Sequence, residues 1–96
     1  MGRIAADASV FHAIADPTRR AILDLLREGE RTVSEMMDVL LRGARKVTQS
    51  AFSQHLAVLR SAGLVAAEKK GRHRVYSFRA APLTEVADWI VAATLQ

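Results

Sequence analysis

Residues 48–63, Thr-Gln-Ser-Ala-Phe-Ser-Gln-His-Leu-Ala-Val-Leu-Arg-Ser-Ala-Gly, read as a helix with two unlike faces. Phe52, Leu56 and Leu59 recur at i, i+4 and i+7, so they share one stripe that needs burial. Gln49, Ser50, Ser53 and Gln54 fall on the other side, near the start. Each can both donate and accept hydrogen bonds. His55 follows them and reads either as one more outward contact or as a hydrogen-bonded structural residue. Thr48 suits the N-cap, and Gly63 suits the position just past the helix end. The next segment, 64–79, reads as two short strands around a basic turn at Gly71. In the second strand Tyr76 and Phe78 point to one face, Val75 and Ser77 to the other. A two-faced helix running into a basic hairpin is the sequence form of a winged helix-turn-helix.

The flanking segments supply the rest of such a domain. Residues 4–15 are expected to form a first helix, with Ile4, Ala8, Phe11 and Ala15 on one stripe and Val10 and Ile14 beside it. A second helix opens at Asp16 as N-cap and Pro17 at the first helical position, and Gly29 ends it. Ile22, Leu25 and Leu26 form its buried side. A third opens on the capping box Thr32-Val-Ser-Glu35 and carries Val33, Met36, Met37, Leu40 and Leu41 at helical spacing. Residues 42–47 break that rhythm and read as a connector. Pro82 starts a last helix, with Leu83, Val86, Ile90 and Ala93 on one stripe and Trp89 flanking it. The order is α-α-α-α-β-β-α: mainly helical with a small hairpin, one domain over 1–96, and a reading core over 17–79. The terminal helices, 4–15 and 82–95, keep apolar faces outside that core. Those faces are assigned to a two-fold homodimer through Val10, Phe11, Ile14, Leu83, Val86, Trp89, Ile90 and Ala93.

Charge is distributed unevenly. Residues 1–41 hold five basic and seven acidic groups, whereas residues 42–74 hold eight basic groups against Glu68 alone. Positive charge therefore gathers on the two-faced helix, the connector before it and the hairpin, the footprint of a nucleic-acid surface. Gln49, Ser50, Ser53, Gln54 and His55 are assigned to base edges in the major groove. Thr48, Arg45, Lys46, Arg60, Lys69, Lys70, Arg72 and Arg74 are assigned to the DNA backbone. Arg19 and Arg20 read as either a phosphate contact or an intradomain ion pair. The expected partner is a double-stranded operator.

Other functions find little support. The chain has no cysteine, and His12, His55 and His73 show no metal-ligand spacing, so no metal or cofactor is expected. No nucleophile elbow, phosphate loop or zinc-hydrolase motif is present, which argues against an enzyme. No apolar run approaches the roughly 18 residues of a membrane span, and the N-terminus lacks a signal-peptide core, so a cytoplasmic protein with no membrane partner is expected. Two competing functions remain: a winged helix that binds another protein, and a nucleoid protein that binds DNA without sequence preference.

The chain resembles the ArsR family of bacterial winged-helix repressors. The likeness is carried by FHAIADPTRRAILDLL (11–26), TVSEMMDVL (32–40), QSAFSQHLAVLRSAGLV (49–65) and GRHRVYSF (71–78). It implies a homodimeric repressor that leaves its operator on receiving a signal. Two departures stand out. The connector at 42–47 is longer than usual in the family. The third helix offers Met36 and Met37 where metal-sensing members place cysteines, and the last helix offers Glu85 and Asp88 with no histidine. The inducer is not specified by these residues.

Overall fold

The computed structural model describes residues 9–42 and 47–95. Helix α1 spans Val10–Ile14 and is capped by Ser9, whose hydroxyl accepts from the His12 N–H at 3.2 Å. The expected first helix over 4–15 therefore does not run through Ser9, where the backbone is extended (φ −67°, ψ 123°). Serine favours this local bond over the helix interior. Ile4 and Ala8 lie outside the described residues.

Helix α2 spans Pro17–Leu26, with Asp16 as N-cap accepting from the Arg19 N–H at 3.0 Å and Pro17 at the first helical position. A five-residue helix such as α1 has almost no stability of its own. The start of α2 holds it: Arg19 Nε donates to the Ala13 carbonyl at 2.8 Å and Arg20 Nη1 to the Ile14 carbonyl at 2.8 Å. These arginines thus satisfy carbonyls that a helix end leaves open. Past α2, Gly29 takes φ 153°, a value that side-chain-bearing residues rarely adopt.

Burial pushes the Asp16 carboxyl up, but the Arg19 N–H bond and the charges of His55 and Arg19 outweigh it and hold it below its ordinary value. A depressed carboxyl adds stability that is present above its unfolded value and is lost as pH falls through the folded one. Asp16→Ala should therefore lower stability by about 0.5–2 kcal/mol at neutral pH, as lost N-caps do. The difference from the unaltered chain should shrink in acid, below the ordinary aspartate range. Urea midpoints at neutral and acid pH check this, and a pH-independent difference would contradict it.

Strand β1, Arg31–Thr32, precedes helix α3, Val33–Leu41. Thr32 Oγ1 accepts from the Glu35 N–H at 3.2 Å, and Glu35 accepts from the Thr32 N–H at 2.8 Å, the reciprocal capping box. Helix α4 spans Gln49–Ser61; strands β2, Val65–Lys70, and β3, His73–Phe78, follow; helix α5 is Leu83–Thr94. The expected two-stranded hairpin is a three-stranded antiparallel sheet in the order β1-β3-β2, with Arg31 opposite Tyr76 and Thr32 opposite Val75. Among the described residues the order is α-α-β-α-α-β-β-α.

Helix α4 ends in a Schellman motif. The Leu64 N–H bonds to the Leu59 carbonyl at 3.0 Å and the Gly63 N–H to the Arg60 carbonyl at 2.9 Å, with Gly63 at φ 77°. This stop turns the chain directly from the helix into β2. The core gathers Ile22, Met36, Phe52, Leu59 and Leu64, all fully buried, with Val10 and Ala13 of α1 and Tyr76 of β3.

Helix α5 has no buried residue. Leu83 and Val86 pack on the core, while Trp89, Ile90, Val91 and Leu95 stand exposed at 62%, 47%, 52% and 79%. Phe11 of α1 meets Trp89 edge to face, with ring centroids 6.2 Å apart. Among the residues assigned to a dimer, Val10 is a correction: it is taken up by this chain's own core. Ile14, Leu83 and Val86 also pack partly inward. Phe11, Trp89, Ile90 and Ala93 face outward. Among the described residues no helix is long and apolar enough to cross a membrane.

Candidate nucleic-acid interface

The start of α4 is built by its cap. Thr48 Oγ1 accepts from the Ala51 N–H at 3.0 Å, and Thr48 itself is extended and exposed. Phe52, Leu56 and Leu59 are buried, which fixes the rotation of the helix about its axis. Gln49, Ser50, Ser53 and Gln54 are then forced outward, and all are exposed. Gln49 and Ser53 form one i, i+4 pair and Ser50 and Gln54 the next, so together they cover the outer side of the first turns. Arg60 is exposed on the same helix and borders, with Ser53, a shallow hollow against Val33 and Tyr76.

His55 does not stand with them. Its side chain is only 21% exposed, and Nδ1 lies 3.1 Å from Arg19 Nη1. Of the two sequence readings, the hydrogen-bonded structural one describes this geometry. Arg19 likewise serves neither of its expected roles first: its guanidinium bonds to two carbonyls of α1 and to His55.

The wing is a tight hairpin. Lys69 pairs with Arg74 and Lys70 with His73, leaving Gly71 and Arg72 as the turn. Gly71 has φ 62° and no other residue type in the described chain has positive φ, the pattern of a II′ turn. Lys69, Arg72 and Arg74 are exposed. Like charges directly opposite across strands disfavour the hairpin, as at Lys69 and Arg74, and an anionic partner relieves that repulsion.

Lys70 is not a free cation: its Nζ lies 2.9 Å from Glu30 Oε2, just before β1. That hydrogen bond, and then the Glu30 charge, raise its pKa above the ordinary lysine value. Sequence reasoning missed Glu30, and no local pattern could mark a partner forty positions away. Arg45 and Lys46 lie outside the described residues.

The description "Bacterial regulatory protein, arsR family" matches residues 16–67. An uncharacterized HTH-type transcriptional regulator of Bacillus subtilis, YuzN, is 39% identical over 85% of this chain and 92% of its own. The transcriptional repressor SdpR of the same organism is 32% identical over 86% of this chain and 87% of its own. Among solved structures, HlyU from Vibrio cholerae is 30% identical, covers both chains fully and superposes with a TM-score of 0.67.

Proposed function

Since the chain belongs to the arsR family of bacterial regulatory proteins, and is therefore a DNA-binding transcriptional regulator rather than an enzyme, we propose that it is a cytoplasmic homodimeric repressor of an inverted-repeat operator. Gln49, Ser50, Ser53 and Gln54 read base edges. Thr48, Arg60, Lys69, Arg72 and Arg74 hold the backbone, with Lys70 available once a phosphate displaces Glu30. Arg45 and Lys46 add to the backbone set from the connector. Dimerisation uses the outer apolar face of α1 and α5. Release follows a signal other than a thiolate-bound metal, since the chain has no cysteine to supply the ligands.

The observation that carries this reading is the outward polar face at the start of α4, locked in rotation by three buried residues on its other side. Side chains placed there enter a major groove, and the wing is left to grip phosphates.

Gln54→Ala should cost about 1–3 kcal/mol on the operator and relax preference at one position of each half-site. Arg72→Ala should weaken binding to all sequences alike and reduce the salt slope by about 0.9 for each lost phosphate contact, counted over both subunits. Salt-dependence plots on operator and scrambled DNA check both. Equal losses on both DNAs for Gln54→Ala, with an operator-only loss for Arg72→Ala, would mean that the two surfaces are reversed.

A further inference from the structure

Arg19 sits at the centre of a network that joins α1, α2 and α4. Its Nε donates to the Ala13 carbonyl at 2.8 Å, and its Nη2 to the His12 carbonyl at 3.1 Å. Its Nη1 reaches Nδ1 of His55, 3.1 Å away, in the middle of α4. A guanidinium only donates and stays charged. Nδ1 is therefore the acceptor, which places the imidazole proton on Nε2 in the neutral ring. The Asp16 carboxylate stands 4.0 Å from the same nitrogen and already accepts the Arg19 N–H at 3.0 Å.

We propose that Arg19 and His55 form a clasp that sets the base-reading helix against α1, and that protonation of His55 at Nδ1 opens it. The inference rests on the DNA-reading role proposed above. Through Phe11, which meets Trp89, α1 touches the exposed face of α5. The clasp thus links the helix proposed to read DNA with the helices proposed to hold the dimer. A proton on Nδ1 turns the acceptor into a donor and sets two cations side by side. The ring then turns from Arg19 toward Asp16, and α4 loses its tie to the end of α1.

The charged groups around His55 leave this exchange open. From α2 they are Asp16 and Arg19. From α1 it is His12, which lines a hollow with Ala57, Val58 and Ser61 of α4. The charged residues of β2, Glu68, Lys69 and Lys70, occupy its outer exposed half, and Arg60 lies further along α4. The expected effect has a distinctive sign. Added positive charge on histidines tightens binding to any duplex in acid, whereas opening the clasp weakens binding to the operator.

The test titrates operator and scrambled duplexes with the full chain at about pH 7.5 and about pH 5.5. His55→Asn keeps an acceptor oxygen near the position of Nδ1 and does not titrate. The unaltered chain should lose about tenfold in operator affinity in acid, the scale of one hydrogen bond from a charged donor, with no loss on scrambled DNA. His55→Asn should keep its neutral-pH affinity and lose the acid response. Arg19→Lys, without the fork that spans carbonyl and imidazole, should bind the operator weakly at both values. An equal acid response in the unaltered chain and His55→Asn would overturn the proposal. Nitrogen-15 spectra of the imidazole decide it independently of DNA and of any variant's folding. Nδ1 should be unprotonated at neutral pH, and a proton there would overturn the clasp. Binding with no sequence preference at either pH would instead sink the base-reading role, with the spectra still deciding the clasp.

Discussion

Replacing Trp89 and Ile90 together by alanine should weaken the proposed dimer on the order of a thousandfold. A buried aromatic anchor contributes about 2 kcal/mol or more to an interface, a two-fold axis repeats it, and every 1.4 kcal/mol is about tenfold. Both side chains are largely exposed, at 62% and 47%, so their loss should leave the fold of the single chain intact. Operator binding should fall with the dimer, because in the proposed arrangement one copy of α4 alone reads only one half-site. Sedimentation equilibrium combined with circular dichroism checks this. A double variant that sediments as an unchanged dimer would remove α5 from the interface.

Phe52→Ala acts on the other face of the same design. Phe52 is 1% exposed, on the inner side of α4. Truncating a buried phenylalanine costs about 3–5 kcal/mol, against a total of about 5–15 kcal/mol for an ordinary domain. Urea unfolding should show a large share of the stability gone, and DNA binding should fall with the folded fraction as denaturant is added. Gln54→Ala, two residues on and outward, should change stability by no more than about 0.5 kcal/mol. A loss below about 1 kcal/mol for Phe52→Ala would mean that α4 does not present this face to the core.

What was legible in the sequence follows from how local each signal is. The Thr32–Glu35 capping box, the Asp16–Pro17 helix start and the Gly63 stop each act within a few residues, and each is present in the structure. Strand β1 was not legible, because two residues are too short for a period of two to show. The break at Ser9 is a local bond that competes with a helical pattern rather than interrupting it with glycine or proline. Apolar spacing marks Val10 for burial but does not say against which surface, and its own core claims it. Arg19 could not be placed because its acceptors are backbone carbonyls and an imidazole thirty-six positions away. The exposed polar residues of α4 were readable for the opposite reason: the buried stripe that fixes their direction lies on the same helix.

The proposed arrangement has two copies of α4 reading two symmetric half-sites. Selection of bound sequences from random DNA by the full chain tests it most directly. An inverted repeat should emerge, with half-site centres about 10 bp apart, or about 34 Å along the duplex, so that both helices enter successive major grooves. Enrichment of direct repeats, of a single unpaired half-site, or of no sequence at all would contradict it.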